Sequence, residues 1–496
     1  MSLPPGDRAR VALVGLAIVG LVPLLWPGDA PWINDEPLLL QRAIATVRGA
    51  PLATQGLLGT RAVVYGPFAI WIYTALLTVS HHLATLVLLR AVIVSALTVV
   101  GLAWMAAQCS ALRPALAAVA LLSPYFWLYC RELWDNTFLI PLSAITLAAY
   151  LSFTITRAPW KLWVAVLGGV AMFLVHLMSL ALLVPLAIHC WREHRDWIRA
   201  RPRIVLAQSI TSTVLVAPYL VRLAINVWNV SHRAKVVATT VSNAAPSTSS
   251  DAIEWRGWVF PLFGGRVSSS FGIETFFERG WQAHVAGPSM EPLVRALDAI
   301  TWMSLPLMWL GMGLAIARVR AVRRGDGPRD GDYHASAICL AVVGAQILLD
   351  GVLQTHTHAH YYNATFVCLF YFVWSALSWQ RMPRMVPILH GVALASVLGL
   401  VITSIHRDAG NRGSGYGSTI DEQVTLARRL AEQNPASPIE LDVDNFRLFP
   451  HGLVVLRDLE RLTGDPNAPL RRLRVRYLRA DGVDGHLALD DLGAAP

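Results

Sequence analysis

Two adjacent carboxylates, Asp35 and Glu36, follow the first hydrophobic run of the chain, in the stretch PWINDEPLLLQRA. Pro37 then begins an amphipathic run that ends near Gly49, which predicts a helix with acid at its amino end. One interpretation is a helix cap, because capping and the helix dipole favour carboxylates at that position. The other is chemical, because carboxylates close to hydrocarbon are costly and are often functional. The two are compatible, since the dipole would keep Asp35 ionised.

A second polar cluster lies in YCRELWDNTFLIP, which contains Arg131, Glu132, Asp135 and Asn136. An ordinary polar loop, with Asp or Asn capping a helix from Thr137, would also explain these residues. Two acidic clusters on one side of a hydrophobic bundle nevertheless suggest a shared site.

The third cluster is LQTHTHAHYYNATF, in which His356, His358 and His360 alternate before Tyr361 and Tyr362. Alternating histidines share a face of an extended segment and could bind zinc. No nearby cysteine or acid completes such a set, so we predict no cofactor, and a divalent metal stays an open alternative. A cluster that hydrogen-bonds a phosphate or sugar, or an interfacial aromatic belt, is the alternative.

The composition indicates which elements must position these residues. The 496-residue chain is 55% hydrophobic and 15% charged, with a mean hydropathy of +0.48, whereas soluble proteins carry about 25% charged residues. Apolar runs near the length of a membrane helix recur, which predicts an all-α polytopic membrane protein. The net charge of +9 comes from short loops between these runs, so it reports membrane topology and predicts no nucleic-acid partner.

Basic loops assign the two sides of the membrane, with a cytoplasmic amino terminus and an extracytoplasmic carboxyl terminus. The eleven predicted spans are 11–27, 85–107, 114–130, 137–156, 162–176, 179–191, 204–228, 299–318, 335–353, 361–379 and 385–404. The apolar run 63–80, which contains Tyr65, is predicted to be an interfacial helix, because counting it as a span would place the later basic loops outside. The short spans 162–176 and 179–191 form a hairpin at His176, where a buried, hydrogen-bonded histidine is the simplest interpretation.

Three predicted outward segments complete the organisation. The first outward loop, 28–84, carries the acidic pair, and the second, 229–298, contains the Ser-rich TTVSNAAPSTSS and the aromatic EWRGWVFPLFGG. The tail, 405–496, is hydrophilic and reads as helix, strand, helix and strand, which predicts a small C-terminal α/β domain. The chain therefore divides into a membrane domain, 1–404, and a soluble extracytoplasmic domain, 405–496.

The order of these motifs resembles the GT-C membrane glycosyltransferases, especially the protein O-mannosyltransferases and the aminoarabinose-to-lipid A transferases. The resemblance covers most of residues 10–400 as order and spacing: the Asp-Glu pair, YGPFAIWIY, Arg90, SPYFWLYCRELWDN, a histidine in a short hairpin and HYYN. The family's first-loop acids match Asp35 and Glu36, and its second acidic site matches Asp135. Tyr-Gly-Pro at 65–67 departs from the double proline of many members, and the tail has no counterpart.

The resemblance implies a GT-C fold in the cytoplasmic (inner) membrane and an inverting transfer on its outer side. A sugar would move from a polyprenyl-phosphate carrier to a hydroxyl of a protein, lipid or glycan acceptor. Such a displacement needs a carboxylate base, for which Asp35 is the candidate, and partners for the leaving phosphate. Glu36 and Asp135 would orient hydroxyl groups. The predicted substrate-binding residues are Arg61, Tyr65, Arg131, Glu132, Asn136, His176, His360, Tyr361 and Tyr362.

Two other classes of function remain open at the level of sequence. Intramembrane acids and broken helices also serve a transporter or flippase for a lipid-linked glycan. That class predicts a two-fold hydropathy repeat and charges inside spans, and neither is evident in the sequence. A non-catalytic assembly protein that acts through its tail is the third class, and it leaves the acidic clusters unexplained.

Overall fold

The computed structural model describes residues 14–32, 35–59, 63–110, 120–241, 303–353, 359–407, 419–433, 439–443, 471–479 and 485–494, with isolated positions at 292–300 and 452–459. These residues are mainly helical. Among the described residues, six helices are long and apolar enough to cross a membrane: Leu83–Ala106, Asn136–Thr156, Pro202–Asn229, Ser304–Arg324, Gly331–Asp350 and Met385–Arg407. The chain is therefore a helical membrane protein, and the predicted total of eleven spans stays a prediction.

The α-helices used below follow one another along the described chain. They are α1 (Glu36–Val47), α2 (Phe68–Leu77), α3 (Leu83–Ala106), α4 (Pro124–Arg131), α5 (Leu139–Thr156), α6 (Pro159–Val175), α7 (Leu180–Ala200), α8 (Pro202–Val241), α9 (Ser304–Arg324), α10 (Gly331–Leu353), α11 (Phe366–Leu377), α12 (Met385–Arg407) and α13 (Ile420–Gln433). A shorter apolar helix, Val14–Leu24, precedes α1. Its last residues are a 3-10 turn, so the predicted span 11–27 is not one regular helix.

Helix α5 forms the centre of the bundle and packs against α3 and α6. Most of its length is buried, and Gly101 of α3 allows close contact because a Cβ there would collide with Ala144 of α5. Helix α8 has the opposite character, since its apolar side chains, such as Val214 and Trp228, are largely exposed. Such a surface is suited to contact with lipid rather than water.

The apolar run 63–80 is helical only at α2, which contains ten residues. Such a helix is about 15 Å long, half of what a bilayer core of about 30 Å requires. The residues before it are extended instead, where Leu58 and Val64 form a bridge and the Gly56 amide donates to the Tyr65 carbonyl at 2.7 Å. The prediction of one helix over the whole run was therefore wrong.

Further boundaries differ from the sequence predictions. The described part of the predicted span 114–130 is not one regular helix, because Ser123 caps α4 and Pro124 begins it, so α4 has only eight residues. Helix α7 continues to Ala200, so the basic residues from Arg192 onward belong to a helix rather than a loop; long basic side chains can reach water from a helix end. Helix α8 continues to Val241 and includes the start of the predicted loop 229–298. A 3-10 turn, Ala359–Tyr362, occupies the predicted beginning of the span 361–379.

The tail contains α13 and three strands, β1 (Ile439–Val443), β2 (Arg471–Arg479) and β3 (Gly485–Ala494). The strands form one sheet in which β1 and β2 are parallel and β2 and β3 are antiparallel. The motifs TTVSNAAPSTSS, beyond its first residues, and EWRGWVFPLFGG lie outside the described residues.

The tail contacts the first loop directly. The Ile420 amide donates to the Ala30 carbonyl at 2.9 Å, and Gln423 Nε2 donates to the Trp32 carbonyl at 2.7 Å. Trp32 Nε1 in turn donates to the Gly452 carbonyl at 3.1 Å. These contacts place α13 beside the loop that carries the acidic pair.

Candidate functional site

The side chains of the acidic pair reach the segment that follows α4. Asp35 precedes α1, but its carboxylate makes no capping hydrogen bond to that helix. Its Oδ2 instead accepts a hydrogen bond from Trp134 Nε1 at 3.4 Å. Glu36 is buried, and its Oε1 accepts from the Leu133 amide at 2.7 Å. The capping interpretation is therefore wrong for Asp35, and the two acidic clusters meet.

Asp135 provides the second carboxyl group of this meeting point. It is buried, and its Oδ1 accepts from the Asn136 amide at 2.7 Å, which caps the short 3-10 turn Asn136–Phe138. Burial raises the pKa of Asp135 to about 7, the bond to Asn136 opposes this, and the nearby Asp35 raises it further. Asp135 therefore binds a proton more readily than an ordinary carboxyl group. The cap role predicted for it from the sequence is confirmed.

Asp35 is the most accessible of the three carboxyl groups. It is half-buried, whereas Glu36 and Asp135 are buried and bound to backbone amides. Burial raises the pKa of Asp35 above its ordinary value, and the hydrogen bond from Trp134 partly opposes this. A carboxylate with a raised pKa and an exposed edge is a better proton acceptor near neutrality than an ordinary one.

Aromatic and histidine rings surround these carboxyl groups. Trp134 packs on His360 with ring centroids 4.5 Å apart, and His360 contacts Tyr361 at 4.4 Å. Tyr361 lies 6.4 Å from His176, which lies 4.2 Å from Tyr65. We call these five residues the aromatic cluster. The cluster joins four distant parts of the chain at one place, which we call the recess.

Tyr65 connects the aromatic cluster to the carboxyl groups. Burial raises the pKa of Tyr65, and the nearby Asp135, Tyr361 and Asp35 raise it further. Its hydroxyl therefore stays protonated and can donate a hydrogen bond. The backbone next to it is closely packed, because a Cβ on Gly66 would collide with the Leu174 carbonyl.

Arg90, in α3, holds the end of α4 in place. Its side chain is fully buried and donates to the carbonyls of Tyr129 and Cys130, with the guanidinium 5.2 Å from the Phe138 ring. Because these carbonyls are the last of α4, Arg90 satisfies groups that the helix leaves without internal partners. It thereby positions the segment 132–135 that meets Asp35.

The predicted ligands Arg131 and Glu132 are both buried. The guanidinium of Arg131 lies 4.4 Å from the Trp127 ring and donates to the Trp26 carbonyl. Glu132 is buried, and its Oε2 has no hydrogen-bond partner among the described residues. Burial raises the pKa of Glu132 to about 8, which Arg90 partly opposes. At neutral pH its carboxyl group is therefore mostly protonated.

Asn136 and Tyr362 belong to the hydrogen-bonded frame behind the recess. Asn363 Nδ2 donates to Asn136 Oδ1 at 3.2 Å, and Tyr125 donates to Asn363 Oδ1 at 2.5 Å. The Tyr362 hydroxyl donates to Asp350 Oδ2 at 3.4 Å. These bonds tie α10 and the turn before α11 to the start of α5.

Sequence reasoning missed three members of this arrangement, Trp134, Asn363 and Asp350. Trp134 and Asn363 lie inside the motifs CRELWDN and HYYN. Their position beside predicted site residues could have identified them. Asp350, near the end of an apolar run, was also visible as an isolated acid.

Some predicted site residues cannot be compared with the geometry. Arg61, His356 and His358 lie outside the described residues. Within the described part of the chain, no group of three or more His, Cys, Asp and Glu side chains could hold a metal ion.

The fold and site define a helical membrane protein in which carboxyl groups and aromatic side chains come together at one end of the bundle. No protein-family model matches the chain, and no curated protein matches it significantly. The features that bear on function are therefore the chemistry of these side chains and the order of motifs along the chain.

Proposed function

We propose that the chain is a GT-C-type glycosyltransferase, which transfers a sugar from a polyprenyl-phosphate carrier to an acceptor hydroxyl with inversion. The observation that carries the proposal is the half-exposed carboxylate of Asp35, which Trp134 contacts beside the buried Asp135. An acceptor hydroxyl must lose its proton as it attacks the anomeric carbon, and one positioned carboxylate serves as the base.

In the proposed reaction Asp35 accepts the proton of the acceptor hydroxyl while that oxygen bonds to the anomeric carbon. The bond between this carbon and the carrier phosphate breaks, and polyprenyl phosphate leaves with the electron pair. The leaving phosphate is a weak base and needs no general acid, but it needs hydrogen-bond donors. The Tyr65 hydroxyl and protonated Asp135 are available as donors in this recess.

The aromatic cluster supports the proposal that the site binds a sugar. Trp134, Tyr65 and His360 are partly exposed, and their ring faces suit the apolar C–H face of a pyranose or furanose. Glu36 has a positioning role, since its bond to the Leu133 amide holds the segment that carries Trp134 and Asp135. Arg61, His360 and Tyr361 stay candidates for contact with the phosphate.

The proposal also includes the finer topology. We place the recess on the outer side of the inner membrane, within an eleven-span bundle with a cytoplasmic amino terminus. The tail 405–496 would be a small α/β domain on the same side. Its contacts with Ala30 and Trp32, only a few residues before Asp35, support that placement. The acceptor would be a protein, lipid or glycan.

The test compares Asp35→Asn with the native chain in nanodiscs, using a panel of polyprenyl-phosphate sugars. Transfer is followed by labelled sugar in the acceptor and by release of polyprenyl phosphate. We expect kcat to fall about 10²- to 10⁴-fold. Asp326→Asn is the matched control, because Asp326 is exposed in the turn after α9, and it should leave turnover unchanged.

Near-normal turnover in Asp35→Asn, with an unchanged melting temperature, would exclude Asp35 as the base. Movement of the intact donor across sealed vesicles without release of polyprenyl phosphate would support a transporter instead.

A further inference from the structure

A cavity of about 650 Å³ opens between α9, α10 and α11, and polar side chains form much of its lining. Four serines and two arginines line it: Ser110, Ser336, Ser375, Ser378, Arg318 and Arg381. None of its described lining residues is acidic. The cavity is therefore polar and basic, although three apolar helices surround it.

The cavity is separate from the recess at Asp35. Helix α11 contains twelve residues and is about 18 Å long. Its first turn follows Tyr362 and Asn363, which belong to the frame of the recess, whereas its last residues precede Ser378 in the cavity. A ligand of the cavity would thus lie near the opposite end of the bundle from the reacting groups.

The one buried carboxylate beside the cavity already has partners. Asp332 Oδ2 lies 3.1 Å from Arg318 NH1 and accepts from the Ser110 amide, also at 3.1 Å. It therefore neutralises part of the charge of Arg318 and holds this side chain at the cavity wall. Arg381 lies against the ring of Trp379, 5.9 Å from its centroid, and contributes a further positive charge.

We propose that this cavity binds a phosphate-bearing polyol, with Arg318 and Arg381 at the phosphate and the serine oxygens accepting from the hydroxyl groups of the polyol. The serine oxygens are placed as acceptors because the hydroxyls of Ser110 and Ser378 already donate, to Asp332 and to the Ser375 carbonyl. Guanidinium groups bind phosphate oxygens through paired, charge-assisted hydrogen bonds. The volume lies within the range of about 300–1,000 Å³ that holds organic ligands, and so it suits more than a bare phosphate ion.

Two sources could supply this chemistry, a glycerophospholipid headgroup and a soluble polyol phosphate. Basic pockets between membrane helices bind anionic headgroups, and partly exposed tryptophan is typical of membrane interfaces. Trp379, at the rim, is about one-third exposed and fits such a position. A soluble phosphate would enter from the aqueous end of the same cavity.

The experiment uses the full chain, delipidated in a neutral detergent. Phosphatidylglycerol is titrated in mixed micelles with native mass spectrometry as the readout, and glycerol 3-phosphate is titrated by calorimetry. Phosphatidylcholine is the zwitterionic control. Arg381→Gln should weaken binding about tenfold, and high salt should weaken it further. Arg384→Gln, which removes an exposed arginine three residues away and outside the cavity lining, should leave affinity unchanged.

Arg318→Gln is a second variant, and it should also weaken binding without changing the stoichiometry. Binding of phosphatidylglycerol alone assigns the phosphate to a lipid, and binding of glycerol 3-phosphate assigns it to a soluble compound. Failure of both phosphates to bind the native chain overturns the proposal. Native affinity in Arg381→Gln, or an equal loss in Arg384→Gln, overturns it as well.

Discussion

The indole N–H of Trp134 donates to the carboxylate of Asp35 at 3.4 Å, although 99 positions separate the two residues in the chain. This contact joins the first loop to the segment after α4. The hydrogen bond from Trp134 lowers the pKa of Asp35, and burial raises it. The balance of these two effects determines the pH at which the carboxylate can accept a proton. The pKa of Asp35 can be measured without knowledge of the acceptor.

Replacing Trp134 by Phe removes the indole donor and keeps an aromatic ring for contact with His360. Because the hydrogen bond favours the ionised carboxylate, its loss should raise the pKa of Asp35. In the proposed reaction Asp35 must be deprotonated to act as the base, so the acidic limb of the kcat/KM profile should move to higher pH. Transfer on that limb should fall about threefold, with a smaller change at alkaline pH. If the acidic limb of the kcat/KM profile does not move, Trp134 does not influence the proton transfer.

Asp135→Asn should change how stability depends on pH. Burial raises the pKa of Asp135 from 3.8 to about 7. Between about pH 4 and pH 7 the folded chain therefore keeps a proton on Asp135 that the unfolded chain has already lost. The native protein therefore loses stability as pH rises through this window. Asparagine can still accept from the Asn136 amide and cannot ionise, so the variant should lack this loss.

Thermal unfolding at pH 5 and pH 8 measures the effect of Asp135→Asn. The difference in melting temperature between the native chain and the variant should change by several degrees between the two conditions, equivalent to a few kcal/mol. A constant difference would contradict a titrating Asp135. Asp196→Asn, at an exposed carboxylate in α7, controls for general charge effects.

Arg90→Met should destabilise the fold. The substitution keeps much of the side-chain volume but leaves the carbonyls of Tyr129 and Cys130 without their donor. It also removes the charge that lowers the pKa of the buried Glu132. We expect a loss of about 3 kcal/mol in the free energy of unfolding, measured by chemical denaturation in detergent. Arg320→Met, at an exposed position of α9, should cost less than about 0.5 kcal/mol.

Trp32→Phe should loosen the contact between the tail and the first loop. The variant loses the hydrogen bond from Trp32 Nε1 to the Gly452 carbonyl, at a cost of about 1 kcal/mol. The bond from Gln423 to the Trp32 backbone carbonyl can remain. Limited proteolysis should cleave the tail faster in this variant than in Trp160→Phe, which changes an exposed tryptophan of α6. Equal cleavage rates would show that this bond does not hold the tail.

Much of the fold follows from hydropathy, because a bilayer selects long apolar helices whatever their partners. The long predicted spans around α3, α5, α10 and α12 agree with the structure to within a few residues at most ends. Boundaries were less predictable where helices carry charge or end in turns. The basic end of α7 is helical because its charged side chains can extend into water, which local composition does not reveal.

Hydropathy alone predicts that the chain enters a membrane and that acids flank its first apolar runs. What each acid contacts depends on the folded chain. Asp35 could have been a cap, but Trp134, from a distant segment, gives its carboxylate a partner outside α1. Arg131 was one of several candidate phosphate ligands, and its guanidinium lies against the Trp127 ring, while Arg90 holds the end of α4. The reason is physical: a side chain's direction, burial and pKa depend on neighbours that folding brings from elsewhere in the chain.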